Sequence, residues 1–470
     1  MLEIKKKHQF SKTLNAVDIL MVAFGAMIGW GWVVSSGGWI QKAGVIGTVV
    51  AFILAGIMIY FLGLVYAELT TTMPKNGGCL LFSYKAFGPK ISYICCWAMS
   101  LGYIGVVCFE ACSLPTVIAY IYPPFLKFYL YTIVGFDVYA SWLITAIVIS
   151  VMITYINVKG IRTAVAMQNI LTLIIAIVGL LLVISSFING DINNLESQIV
   201  KGKTIKEQIK NIISIIMVAP FFLFGFDVIP QAAEEINVEL KKIGKILILS
   251  IILAVSFYGL IVFAIGYAMN GYEISNSIFS TGLVAADAIG KMFKNKLVSR
   301  ILILGGLCGI ITSWNSFLIG GSRMLYSMSR FHMIPCIFSK LDNKYKTPSN
   351  SIYLIGFLSI IAPFFGKEML NWIANCASLA CCIAYCIVSI SYLVIRKKYP
   401  DIKRPFYIKK WKMVGGISVI MSACMVIMYL FPNSGCNLSK EEVIIILMWI
   451  IIGVIFYIFN KCKIFNLKNK

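Results

Sequence analysis

"GAMIGWGWVVSSGG", Gly25 to Gly38, lies inside an apolar segment running from Val17 to Ile40 and places five glycines within it. A helix in hydrocarbon must satisfy every backbone N–H and C=O internally, and glycine is the poorest helix former after proline. Either the glycines admit a neighbouring helix at close range, as the Gly25-x-x-x-Gly29 spacing allows, or the helix breaks and its backbone groups serve another purpose. Which reading holds decides the fold.

The rest of the chain sets the context. Of its 470 residues 60% are hydrophobic and 13% charged, the composition of an integral membrane protein. Lys5, Lys6, Lys7, His8 and Lys12 precede the first span without a short apolar run and small-residue cleavage site, so that span is expected to stay in the membrane. Apolar runs predict crossings at 17–40, 46–70, 91–121, 139–158, 166–188, 211–231, 244–268, 297–327, 351–366, 368–395, 412–431 and 441–460. Only Gly366 and Lys367 separate the ninth from the tenth, so those two could also form one re-entrant unit. With all twelve crossings both termini share one side. That side holds 29 of the 41 basic residues and is expected to be cytoplasmic. The same bias accounts for the net charge of +22 without a nucleic acid partner.

Cysteines such as Cys95, Cys96, Cys381 and Cys382 fall within spans, where thiols pack as small apolar groups, and imply no disulfide framework. The two histidines, His8 and His332, lie in predicted loops, which argues against a histidine metal site at depth. No phosphate-binding loop, metalloprotease or nucleophile-elbow motif occurs, so neither a cofactor nor an enzymatic activity is expected, and a gradient must drive any transport.

A second anomaly matches the first. In the sixth span "APFFLFGFDVIPQ" sets Pro220, Gly225, Asp227 and Pro230 at depth, where a proline removes a backbone donor and a carboxylate is costly. Spans one and six open two possible five-span repeats, and broken helices at corresponding positions point to a secondary transporter. An unwound stretch frees amides to hold an anion and carbonyls to hold a cation.

The chain resembles the amino acid–polyamine–organocation permeases over residues 12–410. "IGWG" at Ile28 to Gly31 is similar to their first-span pattern, "YAELTTTMPKNGGCLLFSYKAFG" at Tyr66 to Gly88 to their second-to-third-span signature, and Phe222 to Asp227, followed by "AAEEIN", to their sixth span and acidic loop. "GGSRMLYSMSRFHMIP", Gly320 to Pro335, and "KYPDIKRPF" complete five motifs in order. The resemblance implies an all-α polytopic membrane protein with helices 1 and 6 broken. It would comprise a cytoplasmic tail (1–16), two inverted five-helix repeats (17–188 and 211–395), two additional helices (412–460) and a second tail (461–470), in the plasma membrane.

It also implies a site. Ile28, Gly29, Trp30 and Gly31 would hold a substrate carboxylate through backbone amides, and carbonyls of Phe221, Phe222 and Phe224 its amine. Asp227 would bind the amine or a proton, or else cap broken-helix amides. Trp30 departs from the small residue more usual there and resembles the Gly-Trp pair of some ethanolamine-moving relatives, leaving amino acid and amine open; the indole could equally face lipid or another helix. Glu110, mid-way along the third span, is a coupling candidate with Asp227, because a carboxyl removed from water gains in its protonated form, and its alternative is a structural hydrogen bond. Proton-coupled relatives carry a lysine in the fifth span, where this chain has Ile175, so exchange, proton coupling through Glu110 or Asp227, and sodium near Ser313 and Ser316 all stand. Trp314 and Phe317 are gating candidates, with helix packing as the alternative. Arg323 could pair with Glu234 or Glu235, or all three could be solvated loop charges. Asp18 and Glu68, near span ends, are expected to face water or a loop, and the connections 189–210 and 269–296 to cover the outer mouth. The expected function is alternating-access transport of a small amino acid or related amine. A membrane nutrient sensor would share the pocket.

Overall fold

The structure, a computed structural model, describes residues 10–196, 198–366, 369–431 and 438–468, with the side chains of Tyr120, Asn371 and 460–468 left aside. Of the expected tails at 1–16 and 461–470, residues 1–9 and 469–470 lie outside the described residues. The chain folds as α1 (Ala16–Met27), α2 (Gly31–Val34), α3 (Ser36–Ala43), α4 (Val45–Thr72), α5 (Cys79–Phe87) and α6 (Pro89–Ile121). A hairpin, β1 (Tyr129–Ile133) and β2 (Phe136–Tyr139), leads into α7 (Ala140–Val158), α8 (Ile161–Asn189), α9 (Asn193–Glu196), α10 (Ile205–Phe222) and α11 (Val228–Gln231). Then follow α12 (Leu240–Ala268), α13 (Gly271–Ser280), α14 (Val284–Phe293), α15 (Lys296–Arg330), α16 (Ser349–Ile361), α17 (Met369–Lys398), α18 (Trp411–Leu430) and α19 (Lys440–Lys468).

Ten helices among the described residues are long and apolar enough to cross a membrane. The sixth and ninth predicted segments fall outside that set. α10 carries Lys206, Glu207 and Lys210 in its first turns and stops at Phe222, whereas α16 has 13 residues and ends in a 3-10 turn, Ala362–Phe365. Gly366, at φ +73°, turns the chain beneath the hairpin, where a Cβ would lie 2.9 Å from Ile133 Cγ2. The helices on either side differ in their main partner, α16 packing chiefly on α7 and α17 on α6, although α16 touches α6 as well.

Four of the interfaces match in pairs: α6 with α17 and α8 with α15, α4 with α10 and α1 with α12. α4 also packs on α12, and α6 on α15. Helix α15 runs through the centre, buried along nearly all of its second half from Gly309 to Ser329. The hairpin was not legible in the sequence, and the connection at 269–296 holds two short helices, α13 and α14. The side reached first by the chain, where α1 begins, is the near side below, and the opposite one the far side.

Candidate functional site

The first span breaks as its glycines suggested. α1 ends at Met27, Ile28 leaves helical geometry at φ −101°, ψ 77°, and α2 restarts at Gly31. Hydrogen bonds resume with Val33 N to Trp30 O, so the amides of Gly29, Trp30, Gly31 and Trp32 donate to no acceptor among the described residues. The glycines divide the labour. Gly25 packs against Gln168 and Thr172 of α8, the close-packing reading, while Gly31 lies against the ring of Phe222 with no room for a Cβ. The unwound strand is received by α15, where a Cβ on Gly309 would stand 2.8 Å from Gly29 O.

The second break faces the first. α10 stops at Phe222, α11 begins at Val228, and the carbonyls of Phe221, Phe222, Leu223 and Phe224 accept no hydrogen bond among the described residues. Gly225, in the break, has φ +129°, and a Cβ there would sit 2.6 Å from Ala26 Cβ. Only glycine meets both the conformation and the approach. Two sets of unused backbone groups, one donating and one accepting, are thus brought together.

They border a cavity of about 430 Å³ lined by Gly29, Trp30, Gly31, Phe221, Phe222 and Phe224, with Glu110, Ser313 and Phe317 among its other walls. It extends toward the far side past Val34, Thr116, Leu283 and Tyr429. Gly282 and Leu283, between α13 and α14, lie at that mouth, so the connection at 269–296 does cover it in part. Three expected residues do not line it. Ile28 is fully buried, Trp314 is 1% exposed, and Asp227 lies beneath the cavity floor.

Glu110 is 4% exposed, and its Oε1 accepts a hydrogen bond from Ser313 Oγ. Its Oε2 has no hydrogen-bond partner among the described residues. A methyl group placed on Gly29 would lie 3.5 Å from Glu110 Oε1, so the carboxyl stands directly beside the free amides. The Trp30 indole does not face lipid: it is 7% exposed, presses on Gly306 of α15, and its Nε1 has no partner among the described residues. Ser316 Oγ donates to Val22 O at 3.0 Å, and Ile175 is fully buried. Among the described residues no cluster of three histidine, cysteine, aspartate or glutamate side chains could hold a metal.

Below the cavity the near side is closed. Asp227 Oδ2 accepts from Tyr103 OH at 2.5 Å, and its Oδ1 from Tyr385 OH at 2.9 Å and Gly225 N at 3.1 Å. The carboxylate thereby ties α6, α17 and the second break together. Phe226, Tyr66 and Tyr385 pack around it with centroids 5.4 to 5.8 Å apart. Further down Arg323 grips Glu235 in a fork, Nε to Oε1 at 2.8 Å and Nη2 to Oε2 at 3.2 Å, both side chains at most 2% exposed. These are not solvated loop charges, and Glu235 rather than Glu234 is the partner.

Glu68 corrects a second expectation. Instead of facing water it is 1% exposed and accepts from Arg396 Nη2 at 2.6 Å and Ile408 N at 2.9 Å, with Arg404 Nε at 3.4 Å. Asp18 caps α1 with Asn15 and accepts from Asn169 Nδ2 at 2.7 Å. The sequence reading missed Tyr103 and Tyr385, because a tyrosine among others in an apolar helix carries no signal until the fold brings it to a carboxylate 124 or 158 positions away. It also missed Phe109 and Asn375 on the cavity wall.

A family model described as amino acid permease matches residues 14–456. A branched-chain amino acid permease of Bacillus subtilis is 24% identical over 468 residues, covering 96% of this chain and 93% of that protein. A methylthioribose transporter of the same organism is 25% identical, covering 99% and 96%, and its aspartate–proton symporter is 26% identical, covering 90% and 80%.

Proposed function

The chain belongs to the amino acid permease family, a multi-pass membrane transporter and not an enzyme, and on that premise we propose that it moves a small amino acid by alternating access. The observation that carries this is the meeting of three free amides, those of Gly29, Trp30 and Gly31, and three free carbonyls, those of Phe221, Phe222 and Phe224, on one cavity. Amides at the start of a helix hold a carboxylate, and carbonyls at the end of one hold an ammonium. Gly29, Trp30 and Gly31 take the first role, and Phe221, Phe222 and Phe224 the second. Phe317 closes over the ligand, while Asp227, with its oxygens engaged by Tyr103 and Tyr385, holds the near-side gate rather than the amine.

Glu110 supplies the coupling. A substrate carboxylate on the Gly29 amides and an ionised Glu110 would be like charges within a few ångströms, which disfavours the ionised pair. Protonation of Glu110 removes that repulsion, so the anion and a proton enter together.

The paired interfaces support two inverted repeats at 17–188 and 211–395. Exchanging α6–α17 for α15–α8, and α1–α12 for α10–α4, maps one half on the other. With α10–α11 and α16 counted as spans there are twelve crossings, and the basic-rich near side is then the cytoplasm, with both termini there in a plasma membrane.

The same Glu110 favours a second reading. If it stays ionised it fills the anion's place itself, and the ligand is an amine without a carboxylate. Reconstituted liposomes offered labelled amino acids and their decarboxylated amines separate the two. Uptake of amino acids with proton entry supports the first, uptake confined to amines the second, and specific binding without flux would mark a sensor.

A further inference from the structure

The far mouth of the cavity holds a polar group set by a helix outside the paired core. Asn375 of α17 lines the cavity, and its Nδ2 donates to Glu442 Oε1 of α19 at 2.7 Å. Glu442 is 3% exposed although α19 is mostly exposed to the membrane. Its Oε2 accepts from Ser439 N at 2.7 Å, while Ser439 Oγ accepts from Glu442 N at 3.3 Å, the reciprocal bonds of a capping box. One oxygen is sufficient for the cap. The other reaches 67 positions back along the chain to the cavity wall.

An asparagine amide has a donating end and an accepting end, and the network around it decides which way it points. Both Glu442 oxygens act as acceptors, so the NH2 of Asn375 must face them. That leaves Oδ1 as the end turned away from Glu442, and no hydrogen bond is made to it among the described residues. Ser113, Thr116 and Ser378 also line the cavity, and their hydroxyls donate to the carbonyls of Phe109, Cys112 and Ala374 in their own helices. Asn375 is the polar group there whose sense is set by a residue of α19.

Resting on the reading of the cavity as a substrate site, we propose that Glu442 is a positioning residue that locks Asn375 as a hydrogen-bond acceptor, and that the transporter thereby selects amino acids whose side chain carries a donor. A site built to pair with a substrate donor discriminates against the isostere that lacks it.

The test is competitive uptake into liposomes of the isosteric pairs threonine–valine and asparagine–leucine by the full-length protein. The wild type is expected to prefer threonine and asparagine. Glu442→Ala frees the amide to turn, and the preference should fall about three- to tenfold, the value of one net hydrogen bond. Glu442→Gln retains an acceptor and should keep most of the preference. Asn375→Ala removes the acceptor without touching the α19 cap and should lose it in the same measure, which covers the case of a Glu442→Ala protein that does not fold. A wild type indifferent within both pairs, or a preference that survives Asn375→Ala, overturns the proposal while leaving amino acid transport intact. Absence of uptake of every amino acid would instead strike the reading on which it rests.

Discussion

At the residue scale the glycines of the first span are constrained in different ways, and the differences can be tested. Gly31 has no space for a Cβ against Phe222, whereas Gly29 faces the cavity, with Glu110 Oε1 3.5 Å from where a Cβ would be. Gly31→Ala therefore pushes Phe222 or the unwound strand aside, and overpacking of this kind costs about 1–3 kcal/mol. Transport should fall sharply, with a modest loss of thermal stability in detergent. Gly29→Leu leaves the packing behind it intact but fills the ligand's place, so binding should be abolished in a protein that inserts and folds normally. Saturable uptake by the Leu variant at the wild-type rate would remove Gly29 from the site. Glu110→Gln imitates the protonated acid. Substrate exchange should persist, while uptake driven by an imposed pH gradient is lost; retention of that drive would move the coupling elsewhere.

The element scale shows how much of this was legible and why the rest was not. Both breaks could be read directly, because glycine, proline and aspartate at depth are each costly in hydrocarbon and are kept only where the backbone is meant to open. The direction of the Asp227 side chain could not. Its position in α10–α11 follows from sequence, but its partners lie on α6 and α17, and nothing local distinguishes Tyr103 or Tyr385 from other tyrosines in apolar helices. Glu68 was misread for the same reason: proximity to a helix end suggests water, and only the return of Arg396 and Arg404 buries it. The three bonds to Asp227 join three elements, so the link is expected to hold the near-side gate as a unit. Tyr385→Phe deletes one donor and leaves a buried acceptor under-satisfied, at about 1–3 kcal/mol. Asp227→Asn should loosen the same gate. In both variants apparent affinity from the far side should fall, with the cavity residues unaltered, as judged by ligand binding at saturating concentration. Unchanged affinity in both would leave Asp227 a cap of its own broken helix.

For the whole molecule, the cavity extends to the far side while two layers close the near side, the Asp227 cluster and the Arg323–Glu235 pair below it. An alternating-access cycle must break that second layer and re-form it. The N-terminal segment is tied to the backbone next to this pair: Thr13 N and Leu14 N donate to the main-chain carbonyl of Glu235 at 2.9 and 3.0 Å, and Asn237 N to Leu14 O at 2.8 Å. Removing one partner of a buried pair strands the other, a penalty of about 3–5 kcal/mol. The closed near side suffers it, whereas an open one returns Arg323 to water, so Glu235→Ala should shift the population toward near-side opening. Hydrogen exchange at Thr13, Leu14 and Asn237 reads this locally, with accelerated exchange there and little change in the α6–α17 interface. Uniform acceleration would mean general destabilisation rather than a gate. Replacing both partners with apolar side chains, Arg323→Met with Glu235→Leu, removes the charges together, and such swaps are often neutral or stabilising. The near side should then close more firmly, exchange at those amides should return to or below the wild-type rate, and ligand should still bind from the far side while turnover drops. Normal turnover in the double variant would show that the pair is not what the cycle has to break.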